Sequence, residues 1–86
     1  MSELTDLPNI GEVLAEKLHA IGMERRDDLV ASGSVEAVLE IEDPDQSACY
    51  NMLYALEGAI RGVRWHVISK EERRNLKEQY DAARAQ

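Results

Sequence analysis

The sequence predicts an all-α fold in a single domain that spans residues 1–86. Three observations lead to this prediction. Apolar residues recur at intervals of three and four over most of the chain, which is the spacing of one helix face. No segment shows the alternation of apolar and polar residues that a strand requires. Both prolines, Pro8 and Pro44, lie outside the segments with helical spacing. We expect about five short-to-medium helices, packed at steep angles.

The first helix should follow the turn Leu-Pro-Asn-Ile-Gly at residues 7–11 and end at Gly22, because glycine readily adopts the conformation of a helix C-terminus. Its predicted apolar face consists of Ile10, Val13, Leu14, Leu18 and Ile21. A second helix is predicted over residues 26–31, with Leu29 and Val30 inward and Gly33 as its stop. A third should begin at the N-cap Ser34, with an apolar face of Val35, Val38 and Leu39.

The strongest helix start in the chain is at residues 43–46. Asp43 is the expected N-cap, Pro44 suits the first helical position, and Gln46 completes a capping box. The helix should run to about residue 61 and end at Gly62, as the central helix of the fold. Its predicted apolar face is wide and consists of Ala48, Cys49, Met52, Leu53, Leu56, Ala59, Ile60 and Val63.

The last helix should begin at Ser69, since Glu72 lies three residues further on, which is the spacing of a capping box. Its predicted apolar face is narrow and consists of Leu76, Tyr80 and Ala83. Phe is absent and aromatic residues make up only 5% of the chain, so the core must be mainly aliphatic.

Cysteine usage and hydropathy bear on the compartment. The single cysteine allows no internal disulfide, as is typical of proteins in a reducing cytoplasm. No apolar run approaches the roughly 20 residues that span a bilayer, and the acidic N-terminus lacks a signal-peptide segment. We therefore expect a cytoplasmic protein that makes no membrane contact.

Residue types that carry out chemistry are few. Cys49 lies on a predicted core face, where a small buried residue is the favoured interpretation. His19 and His66 are far apart and lack a second ligand at helical spacing, so a metal site is not expected. The acidic run at residues 40–45 lacks the glycine of a calcium loop and is interpreted as a solvated loop. We expect no catalytic residues, no cofactor and no small-molecule substrate, and hence not an enzyme.

The turn at residues 7–11 resembles the hairpin of the helix–hairpin–helix and SAM-like folds, in which amide groups at a helix N-terminus face a phosphate. Asn9, Ile10 and Gly11 are therefore the candidate phosphate site. Asn9 stands where such hairpins usually have glycine, and Glu12 and Glu16 would repel a phosphate. We favour a hairpin that only builds the fold.

Charge is unevenly distributed along the chain. The net charge is −7, and residues 1–60 hold 3 Lys/Arg against 13 Asp/Glu, whereas residues 61–86 hold 7 against 4. Arg73, Arg74 and Lys77 form a candidate basic face on the last helix, which can contact phosphate or dock on acidic residues of the same chain or of a neighbour. Docking is the favoured alternative. Trp65 either covers the core, which we favour, or is an interface anchor.

A longer resemblance concerns residues 51–76. Leu53-Tyr54-Ala55-Leu56-Glu57-Gly58-Ala59, then Gly62, Trp65 and the Ser69-x-x-Glu72 helix start resemble the C-terminal domain of the TfoX/Sxy family. The segment "LPNIG…LHAIGM…DDL" fits the same domain, so the resemblance covers nearly the whole chain. It implies an all-α, helix–hairpin–helix-like domain. Full-length members are bacterial regulators of competence genes that act in transcription with a cyclic-AMP receptor protein.

Full-length members of that family also have an α/β N-terminal domain, and Met1 stands just before the matching region. We therefore expect a stand-alone domain for which the competence role needs separate evidence. The first functional hypothesis is a non-enzymatic regulatory module that binds a protein partner or forms a homodimer. The alternative is weak, sequence-independent DNA binding through the hairpin and the basic face of the last helix.

Overall fold

The computed structural model describes residues 3–85. This part of the chain contains helices and no strand, which confirms the all-α prediction. The elements are a 3₁₀ turn at Glu3–Asp6, α1 (Glu12–Ala20), α2 (Arg26–Ser32), α3 (Ser34–Ile41), α4 (Gln46–Arg61), a second 3₁₀ turn at Trp65–Val67 and α5 (Lys70–Arg84). None of these helices is both long and apolar enough to cross a membrane.

The central element is α4, as predicted, because α2, α3, α5 and the Trp65–Val67 turn all pack against it. Helix α1 packs on α3 and on the first 3₁₀ turn. The shared core is mainly aliphatic, with Tyr80 as its one buried ring among residues 3–85. The largest fully enclosed side chains are Leu4, Leu18, Leu29, Val38, Cys49, Leu53 and Leu56.

Two predicted core residues are wrong. Val13 is 69% exposed and Val30 is 44% exposed. Helix α1 buries Ala15 and Leu18 instead, and Val13 lies two residues before Ala15, about 200° around the helix axis from it. Helix α2 is seven residues long and buries only Leu29, so its neighbour Val30 faces away from the core.

The N-cap of α4 is Asp45, whereas the sequence analysis predicted Asp43. An Asp45 carboxylate oxygen accepts hydrogen bonds from the amides of Ser47 (2.9 Å) and Ala48 (3.4 Å). Asp43 has other partners: its carboxylate accepts from the Asp45 amide at 2.8 Å and from the Lys17 ammonium group at 3.0 Å. The Asp43–Lys17 ion pair therefore joins the loop before α4 to α1.

Gly33 is both the C-cap of α2 and the N-cap of α3, at a φ of +85° that favours glycine. The Gly33 amide donates a hydrogen bond to the Leu29 carbonyl, and the Gly33 carbonyl accepts one from the Ala37 amide. Ser34 was predicted as the N-cap but is the first helical residue of α3. Its hydroxyl is buried and donates to the Glu57 carboxylate at 2.8 Å.

The C-terminal end of α4 and the N-cap of α5 agree with prediction. Gly62 terminates α4 in the left-handed conformation at a φ of +76°. The Ser69 hydroxyl accepts from the Glu72 amide at 3.1 Å. Glu72 does not complete the capping box, because its carboxylate binds Arg61. Leu76 and Tyr80 of α5 are buried as predicted.

Candidate interaction surface

The predicted phosphate site at the hairpin is largely turned toward the protein. Asn9 has a φ of +69°, in the left-handed region. Its side-chain amide donates to the carbonyls of Ala55 (3.3 Å) and Val63 (3.0 Å), and its side-chain oxygen accepts from the Trp65 amide (3.1 Å). The carboxamide thus uses both donors and its oxygen within the fold and connects the hairpin to α4 and to the loop after it.

The other two hairpin residues differ in exposure. Ile10 is 5% exposed, and its amide donates to the Leu7 carbonyl. Gly11 is exposed, is the N-cap of α1 and provides no side-chain cap. Of the three predicted residues, only Gly11 is exposed. Glu12 and Glu16 are both exposed on the helix that follows.

Trp65 does not cover the core, so the favoured sequence interpretation is wrong. It is 42% exposed and stands in the short 3₁₀ turn after α4. The guanidinium of Arg73 lies over its ring, 5.5 Å from the centroid. The ring of His66 meets it edge to face. Trp65 is a surface aromatic residue whose backbone is fixed by Asn9, and its role as an interface anchor stays a prediction.

The predicted basic face is partly engaged with aromatic rings. The Lys77 ammonium nitrogen lies 4.9 Å from the centroid of the Tyr50 ring, which is a cation–π geometry. The Tyr50 hydroxyl donates to Asp81 at 2.8 Å, and this bond raises the pKa of Tyr50. Arg73 is half-buried and Arg74 is exposed. Among residues 3–85, no carboxylate forms an ion pair with Arg73, Arg74 or Lys77.

One residue of the hairpin and one residue of the basic face contact Trp65. Asn9 binds its backbone amide, and Arg73 lies over its ring. Trp65 therefore lies between the two predicted sites. The sequence could not show this, because Asn9 and Trp65 are 56 residues apart.

A groove beside Trp65 was not predicted. It is lined by Asn9, Asn51, Tyr54, Ala55, Arg64 and Trp65. None of its lining residues is acidic, although the chain has 17 acidic residues and 10 basic ones. Asn51 and Tyr54 are three apart on α4 and so share a helix face. That spacing was the only sequence signal for the groove.

The remaining charged contacts join helices. Arg61 at the end of α4 binds Glu57 at 2.8 Å and also binds Glu72 of α5. The two carboxylates raise the pKa of Arg61. Glu57 also accepts from the buried Ser34 hydroxyl. The Glu57–Arg61 pair thus belongs to a network that ties together α3, α4 and α5.

Groups that could perform chemistry are buried or dispersed in residues 3–85. Cys49 is 1% exposed, and its thiol donates to the Asp43 carbonyl, so its interpretation as a core residue is confirmed. No cluster of three or more His, Cys, Asp or Glu side chains in this range is arranged to hold a metal ion.

Comparison with known proteins gives a family and two close structures. The family model of the TfoX C-terminal domain matches residues 1–80. A crystal structure of an uncharacterized protein from Listeria monocytogenes, in a triclinic form, has 41% identity and a TM-score of 0.82, covering 94% of this chain and 92% of that chain. A tetragonal form of a Listeria monocytogenes protein of unknown function has 41% identity and a TM-score of 0.81, covering 93% and 98%. No curated protein matches.

Proposed function

The chain belongs to the TfoX C-terminal domain family. We propose that it is a non-enzymatic bacterial regulatory module that acts by binding a protein partner. The favoured partner is a second copy of the same chain. The uneven charge supports this proposal. Residues 1–60 have a net charge of −10 and residues 61–86 one of +3. Two copies can therefore face each other with opposite charges in contact.

The observation that carries the proposal is the state of the cations on α5. Docking of the basic face on acidic residues of its own chain would give ion pairs, yet Arg73, Arg74 and Lys77 form none within residues 3–85. Arg74 is fully available, since it is exposed and has no partner there. Exposed carboxylates on α1, such as Glu16, are available in the same way. A neighbouring molecule can satisfy both.

Sedimentation velocity over a range of protein concentrations tests self-association. At about 0.15 M salt the Debye length is about 8 Å, so the repulsion between two domains of charge −7 is screened while close ion pairs persist. We expect a dimer there that dissociates at about 1 M salt. A monomer at every protein concentration in both salts would exclude the second copy as the partner.

A matched pair of charge reversals locates the contact. Arg74→Glu on α5 should shift the equilibrium to the monomer, because it places like charges at the interface. Arg25→Glu, at the start of the acidic helix α2, makes the same change of charge at another exposed arginine and should leave the dimer intact. Equal effects of the two variants would mean that only the net charge matters, and would contradict an interface on α5.

The proposal places the protein in the cytoplasm, where the Cys49 thiol would stay reduced. Its proposed cellular role is in the transcriptional control of competence genes. Deletion of the gene should then lower the expression of DNA-uptake genes. Complementation with the Arg74→Glu variant should fail if the α5 interface is required. Unchanged expression after deletion would separate this chain from that pathway.

Weak DNA binding is the second candidate function. The observation in its favour is that Trp65 contacts both Asn9 and Arg73, so a duplex could reach the hairpin and the α5 cations together. A fluorescent duplex should bind at about 50 mM salt and be released by about 200 mM, as counterion release requires. Lys77→Glu should weaken this binding. No binding at the lower salt would remove duplex DNA from consideration.

A further inference from the structure

The groove beside Trp65 combines aromatic, carboxamide and guanidinium groups on one surface. We propose that it binds a nucleotide unit of a single-stranded nucleic acid, with the base against the Trp65 and Tyr54 rings and the phosphate on Arg64. The groove shares Asn9 with the hairpin but does not use the hairpin amides. The proposal does not rest on the protein-binding function proposed above. Asn51 is exposed at the groove, and its carboxamide offers one donor and one acceptor face to the base edge.

The aromatic rings supply the first part of the argument. Trp65 is 42% exposed, and Tyr54 is half-buried in the wall of the same groove. Proteins that bind single strands without sequence preference stack successive bases on such side chains. A duplex keeps its bases stacked on each other, so it cannot use these rings without unpairing.

Charge supplies the second part. None of the six residues that line the groove is acidic. Arg64 is exposed, and no carboxylate of residues 3–85 pairs with it or with Arg73. Arg73 lies over the Trp65 ring, and Lys77 follows it one helical turn away. Basic side chains thus extend from the groove along α5, where they can contact the next phosphates of a bound strand. Asp81, four residues after Lys77, is bonded to the Tyr50 hydroxyl.

Rigidity supplies the third part. Asn9 lines the groove but has no donor left for a ligand, since its amide binds Ala55 and Val63. Its oxygen holds the Trp65 backbone. Asn9 therefore fixes the Trp65 backbone relative to α4, and Asn51 is the carboxamide left to contact the base. A preformed wall of this kind lowers the ordering cost of binding.

Trp65 is the only tryptophan, so its fluorescence reports directly on the groove. The probe is an oligo(dT) of about eight nucleotides, within the usual site size of such surfaces. We expect saturable quenching of Trp65 emission. With two or three phosphate contacts, affinity should fall about tenfold between about 50 and 200 mM salt. Absence of quenching at the lower salt would overturn the proposal.

Matched variants test the residues. Arg64→Gln should weaken oligo(dT) binding about fivefold, because a phosphate contact is lost. Arg84→Gln makes the same change of charge at the far end of α5, and its effect should be less than about twofold. Tyr54→Leu should cost about tenfold through lost stacking. Circular dichroism checks that each variant is folded. Equal effects of the Arg64 and Arg84 variants would overturn the site.

Three further ligands separate the possible sources of the nucleotide. Thymidine monophosphate should bind at least tenfold more weakly than oligo(dT), whereas equal affinity would assign the groove to a free nucleotide. A duplex of the same length should quench less, and tighter duplex binding would overturn the single-strand assignment. Inorganic polyphosphate has no base and should not quench. If it quenches as oligo(dT) does, base stacking is excluded. If sedimentation finds only monomers, the dimer proposal fails, but the expected binding of oligo(dT) to the groove stays the same.

Discussion

The side chain of Asn9 occupies the space that a side chain at Gly58 would need. A Cβ atom built on Gly58 would lie 2.5 Å from the Asn9 amide nitrogen, 2.7 Å from the Val63 carbonyl oxygen and 3.2 Å from the Trp65 amide nitrogen. Gly58 thus allows the hairpin, α4 and the Trp65 turn to meet closely. An ordinary helical glycine has no such neighbours.

Gly58→Ala should destabilise the protein. In an exposed helix this exchange stabilises by up to about 1 kcal/mol, but here the contacts with Asn9 and Val63 must open, at a cost of about 1–3 kcal/mol. The measurement is the free energy of unfolding by urea. Gly11→Ala is the control, because a Cβ there meets nothing within 4 Å, and its cost should be limited to the weaker N-cap. A stabilising Gly58→Ala would contradict this packing.

Three variants of Asn9 should differ in a fixed order. Asn9→Gly keeps the positive φ but loses three hydrogen bonds, which should cost about 2 kcal/mol. Asn9→Ala adds the strain of a left-handed alanine, about 1 kcal/mol more. Asn9→Asp should cost the most, because a carboxylate would face two carbonyl oxygens. Urea unfolding gives the order. If Asn9→Asp were as stable as the wild type, the carboxamide bonds would not be made.

Glu57 and Glu72 both bind Arg61, yet their alanine variants should differ. Glu57→Ala also removes the acceptor of the buried Ser34 hydroxyl, and an unsatisfied buried group costs about 1–3 kcal/mol. Glu72 is about half exposed, so Glu72→Ala should cost less than about 1 kcal/mol. Thermal unfolding of the two variants under one condition makes the comparison. Equal losses would mean that Ser34 finds another acceptor.

Acid should weaken the link between α1 and the loop before α4. The hydrogen bond from the Asp45 amide and that from Lys17 lower the pKa of Asp43 below its ordinary value of 3.8. A lowered pKa means that the stabilisation is complete above the ordinary pKa and is lost as pH falls through the lowered one. The melting temperature of wild type should therefore fall more steeply below about pH 4 than that of Asp43→Asn. If the melting temperatures of wild type and Asp43→Asn fell equally with pH, the Asp43 carboxylate would not stabilise the fold.

The sequence was sufficient to predict the helices and most of the core, because each helix has its own apolar spacing and its own stop. Val13 and Val30 were assigned wrongly, since the face of a short helix is set by the neighbours on which it packs. The cap at Asp45 was missed because Asp43 and Asp45 both suit an N-cap, and only the position of Lys17 separates them. The groove beside Trp65 joins residues from the hairpin, α4 and the following turn, and no local pattern predicts such a meeting.

Gly33, which ends α2 and caps α3, leaves no spare residue between the two helices. An insertion at this junction would advance α3 by one position and rotate its faces by about 100°. Buried Ala37 and Val38 would then turn out of the core. In this chain, a change in the length of the α2–α3 junction should therefore move side chains that α3 buries in the core. A peptide tag at this junction should therefore destabilise the domain more than the same tag attached after α5, which ends at Arg84.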